Sequence, residues 1–275
     1  MSRVKKNALR LVTWNINSVR LRLPLLAKLK AALDPDIVCL QETKCEDRDF
    51  PHDGIEALGF AHRQICGNKG YNGVAVLSRL PLSPVERRAW CARIDGRHLA
   101  VNVDWRGRPI TIHNFYVPAG GDIPDPKANK KFAHKLSFLR EMGAWSKAGT
   151  DRGERSVLVG DLNVAPLPSD VWSHKALLKV VSHTPVEVEK LTRIAEARPW
   201  VDAVRHFVPE SERLYSWWSY RARDWAASDR GRRLDHIWVT PELVPQLRET
   251  RVLREARDWP QPSDHVPVMV TIASG

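Results

Sequence analysis

The chain has 275 residues, and its 43 lysines and arginines outnumber its 32 aspartates and glutamates, giving a formal net charge of +11 at pH 7. A chain of this length buries enough surface to fold without a disulfide or a structural metal. The charge favours an anionic partner, nucleic acid ahead of an acidic membrane surface, although a basic protein without a nucleic-acid role fits it equally well.

Alternating or continuous apolar runs predict strands, and apolar residues at helical spacing predict helices. In chain order, strands are predicted at residues 9–16, 37–41, 61–66, 74–78, 98–105, 110–117, 156–161, 215–219, 233–239 and 266–272. Helices are predicted at residues 24–33, 129–145 and 186–197. Many neighbouring strands are joined as hairpins rather than through a helix, which predicts mixed sheets packed face to face with helices outside.

The chain carries no tandem repeat and no Gly/Ser-rich linker, so we expect a short basic tail over residues 1–8 and one interleaved domain over residues 9–275. The four cysteines form no Cys-x-x-Cys pair and no zinc-like spacing with histidine. No apolar run resembles a signal peptide or approaches the ~20 residues of a membrane span. We therefore expect a cytoplasmic protein that has no membrane partner.

Polar side chains close two of the predicted strands. Asp161 ends an apolar strand and is followed two residues later by Asn163, and Asn15 and Asn17 repeat that spacing near the N-terminus. Side chains two residues apart in an extended chain point the same way. Asp and Asn at a strand end more often form a turn or cap a helix, and from the pattern alone that alternative stays open.

Glu42 directly follows the buried strand 37–41, where a carboxylate is costly unless it is paired or bound to a cation. Mg²⁺ is commonly held by one or two carboxylates together with waters and phosphate oxygens, and Glu42 suits that role. Lys44 would hold the carboxylate in its orientation. An ordinary salt bridge between Glu42 and Lys44 is the alternative.

Two Asp-His dipeptides occur late in the chain, at residues 235–236 and 264–265. Adjacent residues in a strand face opposite sides, so only one member of each dipeptide faces a given site unless a turn intervenes. We therefore expect a cross-strand pair in which Asp235 orients the imidazole of His265. Such a carboxylate makes the imidazole a charged donor for a phosphoryl oxygen, and it leaves His236 with a structural role.

Seven short motifs occur together along the chain, namely WNINSVR (14–20), LQETK (40–44), GYNGVAVLSR (70–79), NFYVP (114–118), GDLNVAP (160–166), RLD (233–235) and SDHVPV (263–268). Each is weak alone, but in this order and spacing the set resembles the exonuclease III / apurinic-apyrimidinic (AP) endonuclease family of the endonuclease/exonuclease/phosphatase superfamily. The resemblance spans residues 9–272. It implies a DNase I-like, four-layered α/β sandwich, in which two mixed β-sheets pack face to face between flanking helices and the site lies at the sheet ends.

The resemblance implies a Mg²⁺ site, with Mn²⁺ as a substitute, formed by Asn15, Glu42, Asp161, Asn163, Asp264 and His265. It implies that the phenol of Tyr116 points at the scissile phosphate, and that Asp161 activates or positions the attacking water. Asn163 would hold that water or a phosphate oxygen. The pair Asp235–His265 would stabilise the transition state.

The implied activity is cleavage of DNA 5′ to abasic sites, leaving a 3′-hydroxyl and a 5′-deoxyribose phosphate, with 3′→5′ exonuclease and 3′-phosphatase or phosphodiesterase activity. The implied partner is double-stranded DNA with abasic sites or 3′ ends; no obligate protein partner is expected, and a monomer is the default. Aromatic and arginine side chains alternate over residues 215–233, a composition suited to phosphates and to the space of an unpaired sugar. The residues assigned to DNA are Arg20, Tyr71, Trp217, Arg221, Arg232 and Leu234.

Among these, Trp217 and Leu234 match an apolar pocket for the abasic sugar, and Arg232 stands where some relatives carry a pocket tryptophan. Alternation predicts that one of Trp217 and Trp218 is a core residue. The lysines at 127, 130, 131 and 135 extend the phosphate track or, equally well, form a solvated helix face.

Two other functions keep part of this pattern. A phosphoinositide or lipid phosphodiesterase would share the chemistry but change the substrate, and the arginine-aromatic segment argues against it. A basic DNA-binding protein on a catalytically dead scaffold would share the charge, but every carried-over catalytic position holds a competent residue type.

Overall fold

The computed structural model describes residues 7–149, 154–222 and 224–274, so most of the predicted basic tail lies outside the described residues. The strands are β1 Ala8–Asn15, β2 Ile37–Gln41, β3 His62–Cys66, β4 Val74–Ser78, β5 Leu82–Glu86, β6 His98–Trp105, β7 Arg108–Tyr116, β8 Ser156–Asp161, β9 Val201–Asp202, β10 Trp217–Trp218, β11 Gly231–Arg232, β12 Asp235–Val239, β13 Leu247–Val252 and β14 Val268–Ala273. The α-helices are α1 Leu23–Leu33, α2 His52–Ala57, α3 Lys130–Ala148, α4 His174–Leu177, α5 Pro185–Ala197 and α6 Trp225–Ser228.

Twelve of these strands form two six-stranded sheets. The first has the order β13-β14-β1-β2-β4-β3 and the second β5-β6-β7-β8-β12-β9. The pairs β1/β2 and β7/β8 are parallel and the other pairs within the two sheets are antiparallel, so both sheets are mixed. A small β10-β11 ribbon stands beside them.

Alternate side chains of each strand face either the core between the two sheets or the helices outside them. Leu11 of β1 faces the core shared by the two sheets, where it joins Val101 and Val159, whereas its neighbour Val12 faces the α1 layer. Helices α3 and α5 cover the outer face of the second sheet in a separate apolar cluster, which includes Phe138. The predicted four-layered sandwich of two mixed sheets between flanking helices is confirmed.

The inner strands of both sheets were predicted closely, whereas three of the four edge strands, β5, β9 and β13, were missed and only the edge strand β3 was predicted. The predicted strands 37–41, 74–78 and 156–161 agree with β2, β4 and β8, whereas the predicted strand 215–219 shrinks to the two residues of β10. The missed strands β5 and β13 read LSPVE and LRETRV, with mostly exposed side chains. Proline and charges are the usual composition of an edge strand, and they hide its alternation. Within the described residues no helix has both the length and the apolar character to cross a bilayer.

Both predictions for Lys135, a phosphate contact and a place on a solvated helix face, are wrong. Its side chain is completely buried, forms an ion pair with Glu187, and donates to the carbonyl oxygens of Asn163 at 2.7 Å and Ala119 at 3.2 Å. Burial lowers the pKa of Lys135, and the charge of Glu187 opposes that shift. Residue 135 lies one turn after Phe132 on the buried face of α3, so helical spacing directs the lysine inward.

Replacing Lys135 with methionine is expected to lower the free energy of unfolding by about 3–5 kcal/mol, because the Glu187 carboxylate is left buried without its counter-charge. Urea denaturation followed by circular dichroism measures this loss. In the control, Lys135→Met is combined with Glu187→Gln, since glutamine still offers an acceptor to the amides of Ser182 and Thr184. The double variant is expected to regain a large part of the loss; equal losses in both variants would contradict the ion pair.

Candidate active site

The polar residues predicted from strand ends lie along one edge, where both sheets end. Asn15 closes β1 and Glu42 follows β2 in the first sheet. In the second sheet Tyr116, Asp161 and Asp235 lie side by side across β7, β8 and β12, because Asp161 is in register with both of the others. The site is therefore assembled from two sheets.

Asn15 bridges the two carboxylates that face each other across this edge. Its Nδ2 donates to Glu42 Oε1 at 2.9 Å and to Asp161 Oδ2 at 3.0 Å, and its Oδ1 accepts from the amide of Asn17 at 3.1 Å. Asn15 is fully buried, so the amide has no water to exchange with and its orientation follows from these partners.

Glu42 is held by three donors. Besides the bond from Asn15, its Oε1 accepts a hydrogen bond from the hydroxyl group of Tyr116 at 2.8 Å, and its Oε2 lies 2.9 Å from Lys44 Nζ. Burial raises the pKa of Glu42, but the hydrogen bond from Asn15 and the charge of Lys44 outweigh it and leave the pKa lowered. The carboxylate is ionised, and the salt bridge considered as an alternative from the sequence is present within the site.

Tyr116 keeps its proton at neutral pH. Burial and then the charges of Glu42 and Asp161 hold the pKa of the phenol well above its usual range. The guanidinium of Arg97 lies over the ring, 4.9 Å from its centre. The phenol therefore acts as a hydrogen-bond donor rather than as a base.

Gly160 is required for the position of Asp161. It adopts a φ of +136°, and a Cβ built there would lie 1.9 Å from the carbonyl oxygen of Phe115 in β7. Asp161 follows directly, and its Oδ1 accepts from the amide of Asn163 at 2.9 Å. The Asn163 side chain donates to the carbonyl oxygen of Val117 at 2.8 Å, so these contacts fix the turn after β8.

His265 stands between two buried carboxylates. Its Nδ1 lies 2.8 Å from Asp235 Oδ2, and its Nε2 lies 3.6 Å from Asp161 Oδ2. Burial lowers the pKa of His265, but Asp235 and Asp161 outweigh it and raise the pKa to about 10. The imidazole is therefore a charged donor at neutral pH, and the expected contact between Asp235 and His265 is present. His265 precedes β14 rather than lying in a strand, and its neighbour Asp264 also reaches the site, so the parity argument does not describe this second dipeptide.

His236 has the opposite character. Its Nε2 bonds the carbonyl oxygen of Val164 at 2.9 Å, and burial lowers the pKa of His236 to about 4. It is a neutral histidine in the packing behind the site, which fits the structural role expected for it.

Asp161 is short of positive charge. Burial raises the pKa of its carboxyl group to about 7; His265 opposes the shift, and Asp235 and Glu42 add to it. A divalent cation next to this carboxylate would offset that imbalance.

The residues present fit such a cation. Among the described residues one cluster brings the ligand atoms of Asp161, Asp235 and His265 within 4.8 Å of one another. Asp235 and His265 are already hydrogen-bonded to each other, so we favour the oxygen set around Asn15, that is Glu42 and Asp161, as the holder of the ion. Carboxylate oxygens are ligands that Mg²⁺ and Mn²⁺ prefer. The Asn15 amide turns its nitrogen toward both carboxylates and its oxygen toward the amide of Asn17, so it orients the carboxylates and is not positioned as a metal ligand.

Asp264, predicted beside the metal, is linked to the same site through Asn17. Its Oδ1 accepts from Asn17 Nδ2 at 3.3 Å and its Oδ2 accepts from Trp217 Nε1 at 2.9 Å. Asn17 Oδ1 in turn accepts from Lys44, the partner of Glu42. A chain of polar contacts therefore runs from Asp264 to Glu42.

The residues assigned to DNA fall into two groups. Arg20, Tyr71 and Arg221 are exposed, with 60% of the Tyr71 side chain accessible. Leu234 is buried in a small apolar cluster against which the half-buried Trp217 packs, and Trp218 is 1% exposed, so the prediction that one tryptophan is core is confirmed.

Arg232 differs from a free phosphate-binding arginine. Its guanidinium donates to the carbonyl oxygen of Val181 and to Ser182 Oγ, and it lies over Trp217, 5.2 Å from the ring centre. It forms part of the wall beside the apolar cluster.

Sequence reasoning missed a polar bridge beneath the site. Gln41 Nε2 donates to Asn114 Oδ1 at 2.7 Å, and Asn114 Nδ2 donates to the carbonyl oxygens of Leu40 and Ala75, each at 3.0 Å. These bonds join β7 of the second sheet to β2 and β4 of the first. The feature of the sequence that could have indicated this bridge is an amide side chain near the end of each buried strand, Gln41 in β2 and Asn114 in β7.

Comparison with known proteins agrees with this geometry. The model of the Endonuclease/Exonuclease/phosphatase family matches residues 12–265. Exodeoxyribonuclease III of Haemophilus influenzae is 26% identical over 94% of this chain and 98% of its own length. An AP endonuclease from Archaeoglobus fulgidus superposes with a TM-score of 0.87 at 30% identity, covering 96% of this chain and 99% of that one. A 3′ phosphatase from Neisseria bound to a product DNA hairpin gives 0.86 at 29% identity, covering 97% and 100%. The chain therefore belongs to the endonuclease/exonuclease/phosphatase family and, within it, to the hydrolytic nucleases of the exonuclease III and AP endonuclease type.

Proposed function

We propose that this nuclease cleaves the DNA backbone 5′ to abasic sites in a Mg²⁺-dependent reaction that leaves a 3′-hydroxyl and a 5′-deoxyribose phosphate. It would also act on 3′ ends as a 3′→5′ exonuclease and a 3′-phosphatase or phosphodiesterase. The observation that carries the proposal is the charged His265, held by Asp235 and lying 3.6 Å from Asp161 at an edge that also holds Glu42.

Phosphodiester hydrolysis is an in-line displacement in which positioning and charge neutralisation provide most of the catalysis. In the proposed roles Asp161 orients or deprotonates the attacking water, and Asn163 holds that water or a phosphate oxygen. His265 would donate to the phosphoryl oxygen that gains charge. The phenol of Tyr116, which donates to Glu42 in the structure, would donate to a phosphate oxygen when the substrate is bound. Mg²⁺, with Mn²⁺ as a substitute, when held by Glu42 and Asp161 with Asn15 and Asp264 nearby, supplies positive charge to the phosphoryl and leaving oxygens.

The proposed substrate rests on chemistry beside the site and on two relatives. The Archaeoglobus protein is named as an AP endonuclease, and the Neisseria protein is bound to DNA. Trp217 packs against the apolar cluster that contains Leu234, next to Asp264, which suits an unpaired sugar without its base. Extruding such a sugar costs less than flipping an intact nucleotide. The exposed Arg20, Tyr71 and Arg221 would follow the backbone. We further expect a cytoplasmic monomer.

The first test is cleavage of a duplex that contains one tetrahydrofuran, a stable abasic analogue. Cutting in Mg²⁺ and its loss in EDTA are expected, and replacing Asp161 with asparagine is expected to lower kcat by at least ~10²-fold while DNA binding persists. The matched control is Asp53→Asn, because Asp53 is an exposed acid on α2, outside the site. Cleavage that ignores EDTA, or equal internal incision of an undamaged duplex with blocked 3′ ends, would remove the proposal.

The second test uses the same Asp161→Asn variant to measure stability against pH in EDTA. Because the folded-state pKa of Asp161 is about 7 against an ordinary value of 3.8, ionising it in the fold costs stability. Its contribution is fully present below about pH 4, is lost as the pH rises through about 7, and stays lost above that. One pKa unit corresponds to about 1.4 kcal/mol, so the stability of the variant relative to wild type is expected to rise by a few kcal/mol between pH 4 and pH 8.

Urea denaturation at several pH values between 4 and 8 measures this difference in unfolding free energy. The difference is expected to grow with pH and then level off. A difference that is constant over this range, or that shrinks as the pH rises, would show that the Asp161 carboxylate is not short of positive charge.

A further inference from the structure

Ser216 lies directly before β10 and has 1% of its surface exposed. Its Oγ accepts from the backbone amides of Leu234 and Asp235, each at 3.1 Å. A serine hydroxyl has two acceptor positions and one proton. Both acceptor positions are taken by backbone amides, so the proton has one remaining direction, toward Asp235 Oδ2 at 2.7 Å.

That carboxylate oxygen has a second partner. Asp235 Oδ2 is the atom that lies 2.8 Å from His265 Nδ1, whereas Asp235 Oδ1 is buried and makes no hydrogen bond within the described part of the chain. Without Ser216, His265 alone would hold the carboxylate, which would be free to turn about its Cβ–Cγ bond. With Ser216, one oxygen is fixed between two donors and the plane of the group is set.

The backbone of Ser216 is fixed by the same two segments. Its amide donates to the carbonyl oxygen of Arg232 at 2.9 Å, and its carbonyl oxygen accepts from the amide of Val266 at 2.8 Å. Ser216 therefore lies between the start of β12, which carries Asp235, and the segment that carries His265. A movement of either segment is transmitted to the hydroxyl.

We propose that Ser216 is a positioning residue: its hydroxyl orients the Asp235 carboxylate, which in turn aims His265 at the phosphoryl oxygen of the substrate. This inference rests on the proposed function, since it assigns a further residue to the same site. Ser216 itself touches no reacting atom, and its effect passes through Asp235.

The test is steady-state cleavage of the tetrahydrofuran duplex by wild type, Ser216→Ala and Ser216→Thr. Alanine removes the proton that orients Asp235, so kcat is expected to fall about 10- to 100-fold, in line with the effect of small misplacements in active sites, while KM changes less than about threefold. Threonine restores a hydroxyl and is expected to return kcat to within about threefold of wild type.

A matched control separates positioning from the loss of a buried hydroxyl in general. Ser146 on α3 is also fully buried, and its Oγ donates to the carbonyl oxygen of Ile194 and accepts from Trp200 Nε1. Ser146→Ala is expected to lower the unfolding midpoint as Ser216→Ala does, but to leave kcat unchanged.

A double-variant cycle with Asp235→Ala provides a second readout, which a purely structural role would not produce. If Ser216 acts through Asp235, then Ser216→Ala has less than a twofold further effect on kcat once Asp235 is alanine. A further loss of tenfold or more in that background overturns the inference. So does a folded Ser216→Ala protein with more than half the wild-type kcat.

The two proposals fail separately. If wild type does not cut the tetrahydrofuran duplex in Mg²⁺, the proposed abasic-site cleavage falls. The same variants are then compared on a 3′-phosphate end, where the same pattern in kcat is expected if Ser216 positions the site. If wild type cuts and the alanine variant cuts equally well, the positioning role alone is overturned.

Discussion

Asn15 donates to carboxylates that belong to different sheets, Glu42 beside β2 and Asp161 at the end of β8. Below it, Gln41 and Asn114 make a second polar link across the same gap. The apolar core between the sheets is non-directional and allows small shifts of one sheet against the other. These buried hydrogen bonds have defined lengths and angles, so they fix the relative position of the sheets at the edge where the site lies.

The balance of charge at this edge explains why the pKa values of its residues are shifted in different directions. Three carboxylates, from Glu42, Asp161 and Asp235, face two cations, from Lys44 and His265. Lys44 lies against Glu42 and lowers its pKa, while Asp235 and Asp161 raise that of His265. Asp161 shares the positive charge of His265 with Asp235, and the pKa of the Asp161 carboxyl group is raised. A protein that binds an anionic substrate beside three carboxylates needs additional positive charge at that point, and this agrees with the divalent-metal dependence of the family.

Much of the site follows from strand periodicity, because a polar side chain at the end of a buried strand needs polar partners and finds them at the edge of the sheet. Parity favoured the pairing of Asp235 with His265 and a different role for His236, and the structure has both contacts. For the dipeptide at residues 264–265 parity does not hold, because these residues precede β14 and both reach the site. Side-chain partners over long sequence separations were beyond that reasoning. Helical spacing places Lys135 on the buried face of α3, unlike its exposed neighbours Lys130 and Lys131, but the counter-charge that makes this burial possible is 52 positions away at Glu187. The role of Ser216 could not be predicted for the same reason, because the sequence shows only a serine beside two tryptophans and its partners are far away along the chain.

The close approach of β7 and β8 at Gly160 limits how this protein can diversify. A side chain of any size at that position would meet the carbonyl oxygen of Phe115, the residue before Tyr116, so adjusting one catalytic strand disturbs its neighbour as well. Substitutions are better tolerated in the loops that carry Tyr71 and Arg221, where exposed side chains can be exchanged without moving the backbone. A substitution in these loops can therefore leave the backbone in place, whereas one at the contact between β7 and β8 cannot.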